Sequence, residues 1–228
     1  MKHFITMLCA AACVVVLGAM PPNEGSIALV SKVILDVTKK PVGKEWLPAK
    51  RGEMLSSGER VKTGERSVAV IKFKDNSMVR VREKTEVLLG GDMQGKSFFK
   101  TTELEKGVIG FSIKKQQQGE EFRFSSPTSV ASIRGTAGLF SASDSSDKLI
   151  VIEGLVRFTN KISSDGVDVQ GGQTGISTRD GKIQVRSSTQ EERLAAQLAA
   201  RTGEQENRLD IELNNNDGSK KNIEIRFR

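Results

Sequence analysis

The chain has 228 residues, a net charge of +7, two cysteines and one histidine. His3, Cys9 and Cys13 all lie close to the N-terminus, so residues 14–228 contain neither residue type. Disulfides, thiol nucleophiles, Ser-His-Asp triads, zinc sites and c-type haem attachment are therefore excluded for that part of the chain. Carboxylates and lysines remain as catalytic groups, so the composition argues against most hydrolase classes.

The N-terminal segment has the pattern of a secretory signal. Residues 4–19 are apolar apart from Thr6, which is one h-region long and shorter than the ~20 residues of a membrane-spanning helix. We prefer cleavage after Ala28, which follows a small-residue pattern; cleavage after Gly18 and an uncleaved anchor are the alternatives. We expect residues 1–28 to be a signal peptide and the protein to be exported to the periplasm or cell surface, without a stable membrane span after processing.

Residues 29–186 form a dense series of short β-type segments separated by turn residues, and we interpret them as one domain. Strands at roughly ten-residue intervals predict an all-β sandwich, barrel or solenoid. The main segments are residues 30–37, 67–73, 77–82, 85–89, 98–104, 108–113, 121–124, 129–134, 137–142, 149–152, 155–159, 166–170, 173–178 and 182–186.

Local patterns orient several of these strands. Residues 67–73 and 77–82 form a predicted hairpin across Asp75-Asn76, because short Asp/Asn turns between β-branched runs favour hairpins. In the second strand, Val79 and Val81 share one face and the arginines share the other. Phe122 and Phe124 likewise share a face. Residues 105–112 and 152–159 echo one another, each with a glycine turn before a strand, which indicates recurring β-units.

The pattern changes in residues 187–228, which we interpret as a helix followed by a hairpin tail. A hydroxyl N-cap with a glutamate three residues later predicts a helix over about 189–202. Its predicted apolar stripe consists of Leu194, Ala195, Leu198 and Ala199.

Two period-2 segments, residues 208–213 and 222–227, then predict a β-hairpin. Its apolar face comprises Leu209, Ile211, Leu213, Ile223, Ile225 and Phe227. An isolated hairpin is marginal in water, so we expect this face to pack on the main domain, on a partner or on a second copy. Except for Leu213, these residues are candidate partner contacts.

An ordered series of motifs resembles the FecR family of exported bacterial β-domains. In chain order they are RGEML (51–55), GERVKTG (58–64), SVAVIKF and DNS (67–73, 75–77), LEKGV (104–108), FSSPT (124–128), ASIRGT (131–136), IEGLV (152–156) and GGQ (171–173). Glu59 replaces the usual aspartate. Asn76 replaces the usual glycine, which the turn can accept because asparagine tolerates positive φ.

The resemblance implies an exported, non-catalytic β-domain of solenoid or sandwich type that makes protein contacts. In the iron-dicitrate systems, relatives pass a receptor signal through the membrane to control a sigma factor. Only three residues precede the apolar run here, and the tail is too short for a receptor-contacting subdomain. We therefore expect no direct sigma-factor control.

Single residues give weaker signals. For Arg134-Gly135-Thr136, the family signature, we favour a structural role over a contact surface, because glycine permits a close backbone approach. Trp46 is a candidate partner contact, although packing in a loop is the favoured interpretation. The loop carboxylates Asp144, Asp147, Asp165 and Asp168 lack the pattern of a calcium loop. We predict no catalytic residues, no metal and no cofactor.

The preferred function is a binding or signalling module of the cell envelope, whose partner is a protein or an anionic envelope polymer. Nucleic acid is not expected, because the chain is interpreted as exported and lacks an arginine-rich block. The alternative is a scaffold protein that self-associates through its hairpin. A carboxylate-dependent glycan lyase or hydrolase is a third hypothesis.

Overall fold

The computed structural model describes residues 25–94, 97–202, 207–214 and 220–227. For residues 93–94, 97–98 and the last two segments the description is of the backbone alone. The architecture is an open sandwich of two nine-stranded sheets with one helix on the outside and a separate two-stranded hairpin. The predicted all-β sandwich with a short C-terminal helix and a hairpin tail is thus confirmed.

Sheet I contains β1 (Ser26–Ile34), β4 (Met54–Ser56), β6 (Val68–Phe73), β7 (Met78–Val81), β10 (Gly107–Ile113), β13 (Thr136–Ala142), β14 (Ser146–Glu153), β17 (Gln173–Thr178) and β18 (Ile183–Ser187). Sheet II contains β2 (Val37–Lys40), β3 (Leu47–Pro48), β5 (Arg60–Thr63), β8 (Glu86–Gln94), β9 (Ser97–Leu104), β11 (Glu120–Ser125), β12 (Ser129–Ile133), β15 (Leu155–Asn160) and β16 (Gly166–Gln170). The helix α1 (Gln190–Arg201) and the hairpin β19 (Asn207–Asn214) and β20 (Lys220–Phe227) follow.

The two sheets grow together along the chain, because successive strands or strand pairs alternate between them. Sheet I runs β18-β17-β14-β13-β10-β7-β6-β1-β4, and sheet II runs β16-β15-β12-β11-β9-β8-β5-β2-β3. From β6 onward the chain places one or two strands in one sheet and then crosses to the other. β9 and β11 pair in parallel, whereas the other strand pairs described are antiparallel. This alternation gives a solenoid-like progression within a sandwich.

A chain of phenylalanine rings fills the space between the sheets. Neighbouring ring centroids lie 4.8 to 6.3 Å apart, and both sheets contribute. The rings are those of Phe73, Phe111, Phe122, Phe124, Phe140 and Phe158, all of them buried. Offset and edge-to-face contacts at these spacings add to the free energy of burial, and the common face predicted for Phe122 and Phe124 is the core face.

The predicted hairpin of β6 and β7 is confirmed, and its turn is held by side chains. Asn76 has φ of +64°, which asparagine accommodates. The Asp75 carboxylate accepts hydrogen bonds from Ser77, from Gln116 and from Lys100 Nζ at 2.6 Å. The turn is therefore tied to β9 of sheet II and to the connection between β10 and β11.

The glycine turns of the internal echo are both crossings between the sheets. Gly107 and Gly154 have φ of +128° and +88°; Gly107 is the first residue of β10, and Gly154 directly precedes β15. A Cβ on Gly107 would meet the Thr85 side chain, and one on Gly154 would lie 2.7 Å from the Gly135 carbonyl oxygen. These crossings therefore require glycine for both conformation and space.

Three features near the N-terminal end of the sandwich differ from the sequence prediction. The predicted strand over 30–37 is interrupted at Leu35, which has φ of +57°, and the segment splits into β1 and β2 in opposite sheets. The short strands β3, β4 and β5 were not predicted, because two to four residues carry little measurable period. β1 begins at Ser26, three residues before the predicted start of the domain at residue 29.

The predicted helix is confirmed, but the face that it buries differs. Ala196, Ala199 and Ala200 pack on the outside of sheet I, where they contact a second apolar cluster that includes Leu139 and Ile150. Leu194 and Leu198, which were predicted to form the buried stripe, are 55% and 61% exposed. Small side chains face the sheet because the helix lies too close for leucine. In the part of the chain that the structure covers, no helix has the length and apolarity to cross a membrane.

Both ends of α1 are anchored by polar contacts. At the N-terminus, Thr189 and Glu192 form a capping box. Arg186 donates to both carboxylate oxygens of Glu192, at 2.7 and 2.8 Å, and this contact holds the pKa of Glu192 well below its usual range. At the C-terminus, Arg80 Nε donates to the Thr202 carbonyl at 2.8 Å and Arg82 donates to the Thr202 hydroxyl. The arginine face predicted for β7 is thus covered, and Arg80 is fully buried.

One carboxylate, Asp147, is buried near the end of the sandwich. It accepts hydrogen bonds from Ser126 and from Ser129, the latter at 2.6 Å, through one oxygen. Its other oxygen, Oδ1, has no hydrogen-bond partner among the described residues. Burial raises the pKa of Asp147, and the two serine hydrogen bonds offset that effect in part.

The tail hairpin forms as predicted at the backbone level. The register places Leu209 opposite Ile225 and Ile211 opposite Ile223, so the predicted apolar positions fall on one face. The side chains of both strands lie outside the described set.

The first prediction concerns Gly110, which allows α1 to approach sheet I. A Cβ at this position would clash with the Ala199 carbonyl and lie 2.9 Å from the Ala199 Cβ. We expect Gly110→Ala to displace the helix and lower the free energy of unfolding by about 1–3 kcal/mol. Chemical denaturation measures this change in the free energy of unfolding. Gly90→Ala is the matched control, because its Cβ would meet Thr101 at an ordinary 3.4 Å; equal losses in both variants would contradict close packing at Gly110.

The second prediction concerns Asp147. Because its folded-state pKa is raised above the ordinary 3.8, the native state binds its proton more tightly than the unfolded state. Stability should therefore fall as pH rises through the folded pKa. We expect Asp147→Asn to gain stability relative to the unmodified protein as pH rises from about 3 to 7. Paired unfolding curves across this range measure the difference, and a difference independent of pH would refute it.

Candidate functional site

The family-signature residues lie at a crossing between the sheets. Gly135 has φ of +76°, and a Cβ there would approach Lys115 Cα to 3.1 Å. Thr136 is buried and donates to the Leu155 carbonyl at 3.2 Å. Arg134 is exposed beside them. Gly135 and Thr136 therefore hold the β12–β13 crossing against the β14–β15 crossing.

Trp46 lies elsewhere, at the edge of sheet II. It is half-buried, and Lys62 Nζ lies 5.8 Å from the centre of its ring, within range of a cation–π contact. The two side chains line a small recess of about 170 Å³ together with Asp36 and Thr38. The indole is thus partly packed and partly available at the surface.

Large apolar side chains are exposed in the chain segments that flank the recess residues in sequence. Leu35 precedes Asp36 and is 68% exposed, and Leu47 follows Trp46 in the edge strand β3. Val42 lies in the connection between β2 and β3 and is also exposed. The left-handed backbone of Leu35 is costly for a branched side chain. An exposed leucine in such a conformation gains nothing from core packing.

A larger cleft of about 660 Å³ adjoins the recess and shares Lys62, Thr63 and Gly64 with it. Turns at one end of the sandwich form its walls. Its charged lining side chains are Arg60, Lys62, Lys84, Lys106 and Lys161 on the basic side and Glu65, Glu86, Glu103 and Glu105 on the acidic side. The cleft is therefore mixed in charge.

Several of these charges pair with one another. Arg60 contacts Glu86 at 3.0 Å and Lys84 contacts Glu65 at 2.7 Å. The Lys84 contact lowers the pKa of Glu65, so this carboxylate is held ionised. Paired surface charges contribute little to stability, but they supply polar partners to an incoming surface.

A lysine fixes one edge of this surface. Lys161 Nζ donates to Ser125 Oγ at 2.7 Å and to the Ser126 carbonyl, so it fixes a turn at the edge of the cleft. Within the described ranges, no three acidic, histidine or cysteine groups come together as metal ligands. A half-buried tryptophan beside a polar, charged cleft is typical of protein–protein contact surfaces.

The sequence pointed to Trp46 but not to the surface around it. The recess and the cleft form through the pairing of β2 with β3 and β5, which sequence patterns alone do not reveal. The candidate contacts at Leu209, Ile211, Ile223, Ile225 and Phe227 are in the tail, whose side chains are outside the described set.

Comparison with solved structures finds proteins with a similar fold. Two crystal structures of a candidate anti-sigma factor from Parabacteroides distasonis ATCC 8503 are similar to it, each with a TM-score of 0.51 and 14% sequence identity. The matches cover 66% and 60% of this chain. They span 66% and 62% of those chains, in each case less than two thirds. At this identity the likeness concerns the fold. No curated protein matches the sequence.

A family comparison agrees with the motifs. The family described as FecR protein matches residues 59–157, which run from β5 to the middle of β15 and include the crossings at Gly107, Gly135 and Gly154. Residues 59–157 of the chain therefore match the FecR domain.

Proposed function

We propose that the chain is an exported, non-catalytic regulatory module of the cell envelope, which acts by contacting a protein partner. The FecR match and the fold of the solved neighbours, which are described as candidate anti-sigma factors, support a regulatory role. Anti-sigma factors act by binding another protein. The observation that carries the assignment of the surface is the exposed Leu35 in a left-handed conformation, next in the chain to Asp36, which lines the recess with Trp46.

The strain at Leu35 favours a contact role. Backbone strain persists where the surrounding structure imposes it, and it concentrates at functional sites. Leu35 lies at the crossing from β1 to β2, where asparagine or glycine would adopt the same φ at lower cost. A leucine at this position contributes exposed apolar surface that a partner can bury.

A protein partner fits the cleft better than an anionic polymer does. A polymer of repeated acidic units requires an uninterrupted basic surface. Here the cations alternate with carboxylates and pair with them. Complementary mixed charges favour specificity towards one protein surface.

The third prediction tests this surface. We expect Leu35→Asn to keep or raise the free energy of unfolding by up to about 1 kcal/mol, because asparagine tolerates the left-handed region, while it weakens partner binding. A photo-crosslinking amino acid at position 47 reports binding in cells. The same probe at the exposed Leu155 serves as the control position.

The expected result is a protein adduct at position 47 that Leu35→Asn diminishes, with little adduct at position 155. The matched Leu155→Asn variant should leave the position 47 adduct unchanged. A polysaccharide adduct, or a yield that Leu35→Asn does not alter, would contradict the proposed protein contact.

Export is part of the proposal, and the geometry of β1 bears on the cleavage site. Ser26 and Ala28 are buried and pair with β4, and Ala28 also pairs with β6. Cleavage after Ala28 would remove the first three residues of β1, whereas cleavage after Gly18 leaves the strand complete. We therefore favour the earlier site.

The fourth prediction is that N-terminal sequencing of protein from the periplasmic or extracellular fraction will find a first residue between positions 19 and 25. A first residue at position 29 would support the later site. Intact Met1 on protein from the cytoplasmic fraction would overturn export.

A further inference from the structure

The outer face of sheet I carries buried aliphatic side chains beyond the reach of the central core. In β6, Ala69 and Ile71 belong to the core between the sheets. Strand alternation places Val68 and Val70 on the opposite, outer face. These two valines are nevertheless only 7% and 3% exposed. The cover over these two valines therefore comes from outside the core between the sheets.

The helix α1 covers only part of this face. It contacts β14, β13, β10 and β7 in turn, and it ends where Thr202 accepts a hydrogen bond from Arg80. The register continues from Arg80 to Val70 in β6 and from Val70 to Lys32 in β1. Leu29 and Ile34 of β1 flank this row and are half-buried. The apolar outer face of β1 and β6 thus begins where the helix stops.

The chain that continues from α1 is the tail hairpin. From Thr202 to the start of β19 at Asn207 the chain advances five residues, which span at most roughly 17 Å. β6 and β1 lie one and two strand spacings beyond β7, or about 5 and 10 Å. The hairpin can therefore reach this face without a long linker.

The hairpin needs such a surface. Its register puts Arg208 opposite Arg226 and Asp210 opposite Glu224, and like charges directly opposite one another are destabilising. A two-stranded hairpin is marginal even without that cost. Its stability must come from burial of the other face, which holds the apolar positions 209, 211, 223 and 225.

We propose that the outer face of β1, β6 and β7 is the docking site of the chain's own hairpin. The hairpin then forms a third layer that continues the cover begun by α1, with its apolar positions over Val68 and Val70. The positions predicted from sequence as partner contacts serve an internal contact instead. This inference does not depend on the proposed function.

Hydrogen exchange of the full-length protein tests the proposal. The amides of β19 and β20 should be protected, and Val70→Asn should abolish that protection while β10 and β13 remain protected. Ile176→Asn is the matched control, since Ile176 is half-exposed on the outer face of β17, on the far side of α1. A hairpin that is unprotected in the unmodified protein, or equally protected in Val70→Asn, overturns the proposal.

A second measurement applies if Val70→Asn prevents folding. In a chain with Cys9 and Cys13 replaced by serine, the thiol of Val68→Cys should react slowly with a maleimide, and Ile211→Thr should accelerate the reaction. Threonine keeps the β-branched shape that favours strands but loses apolar surface. An unchanged rate overturns the proposal. A rate that falls as protein concentration rises also overturns it, because the occupant is then a second copy.

Discussion

The structure depends on one constraint, which is that two sheets built in alternation must share a single aromatic core. Six phenylalanine rings, three from each sheet, form the continuous chain of contacts between the layers. Each strand therefore presents every second residue inward, and each crossing must return the chain to the opposite sheet within a few residues. Positive-φ glycines at 107, 135 and 154 make these crossings, so the motifs of the FecR resemblance are largely the residues that this geometry requires.

A second, smaller interior lies outside sheet I. There α1 packs three alanines against Leu139 and Ile150 and closes over the buried Arg80. The area is small, so hydrophobic burial alone holds the helix weakly. Polar anchors at its two ends, Glu192 at one and Thr202 at the other, compensate for this. The outer face of sheet I is thus a composite surface, closed by chain that follows the β-domain.

Most of the β-strands could be predicted because the information is local. Period-2 alternation and turns such as Asp75-Asn76 fix strand positions and faces without knowledge of the rest of the molecule. Prediction failed where contacts between distant parts of the chain determine the structure. The predicted orientation of α1 was wrong, because Gly110 and Ala199 set how closely the helix approaches sheet I. The burial of Arg80 could not be predicted, because its alternating pattern is equally typical of a solvated face. The surface at Leu35 was missed because a single left-handed residue leaves no periodic signal.

The division between fold and recognition follows from where these features lie. The family match covers residues 59–157, and within it the marked residues hold crossings and strand pairs. Leu35, Trp46 and Leu47 precede it, and α1 and the hairpin follow it. The conformational demands of the sandwich leave little freedom inside the matched segment, because its glycines and inward-facing residues are fixed by packing. The flanking segments are less constrained by packing, since they add edge strands and cover the outer face of sheet I. Recognition by this protein is therefore expected to combine the flanking residues Leu35, Trp46 and Leu47 with the cleft that the matched segment lines.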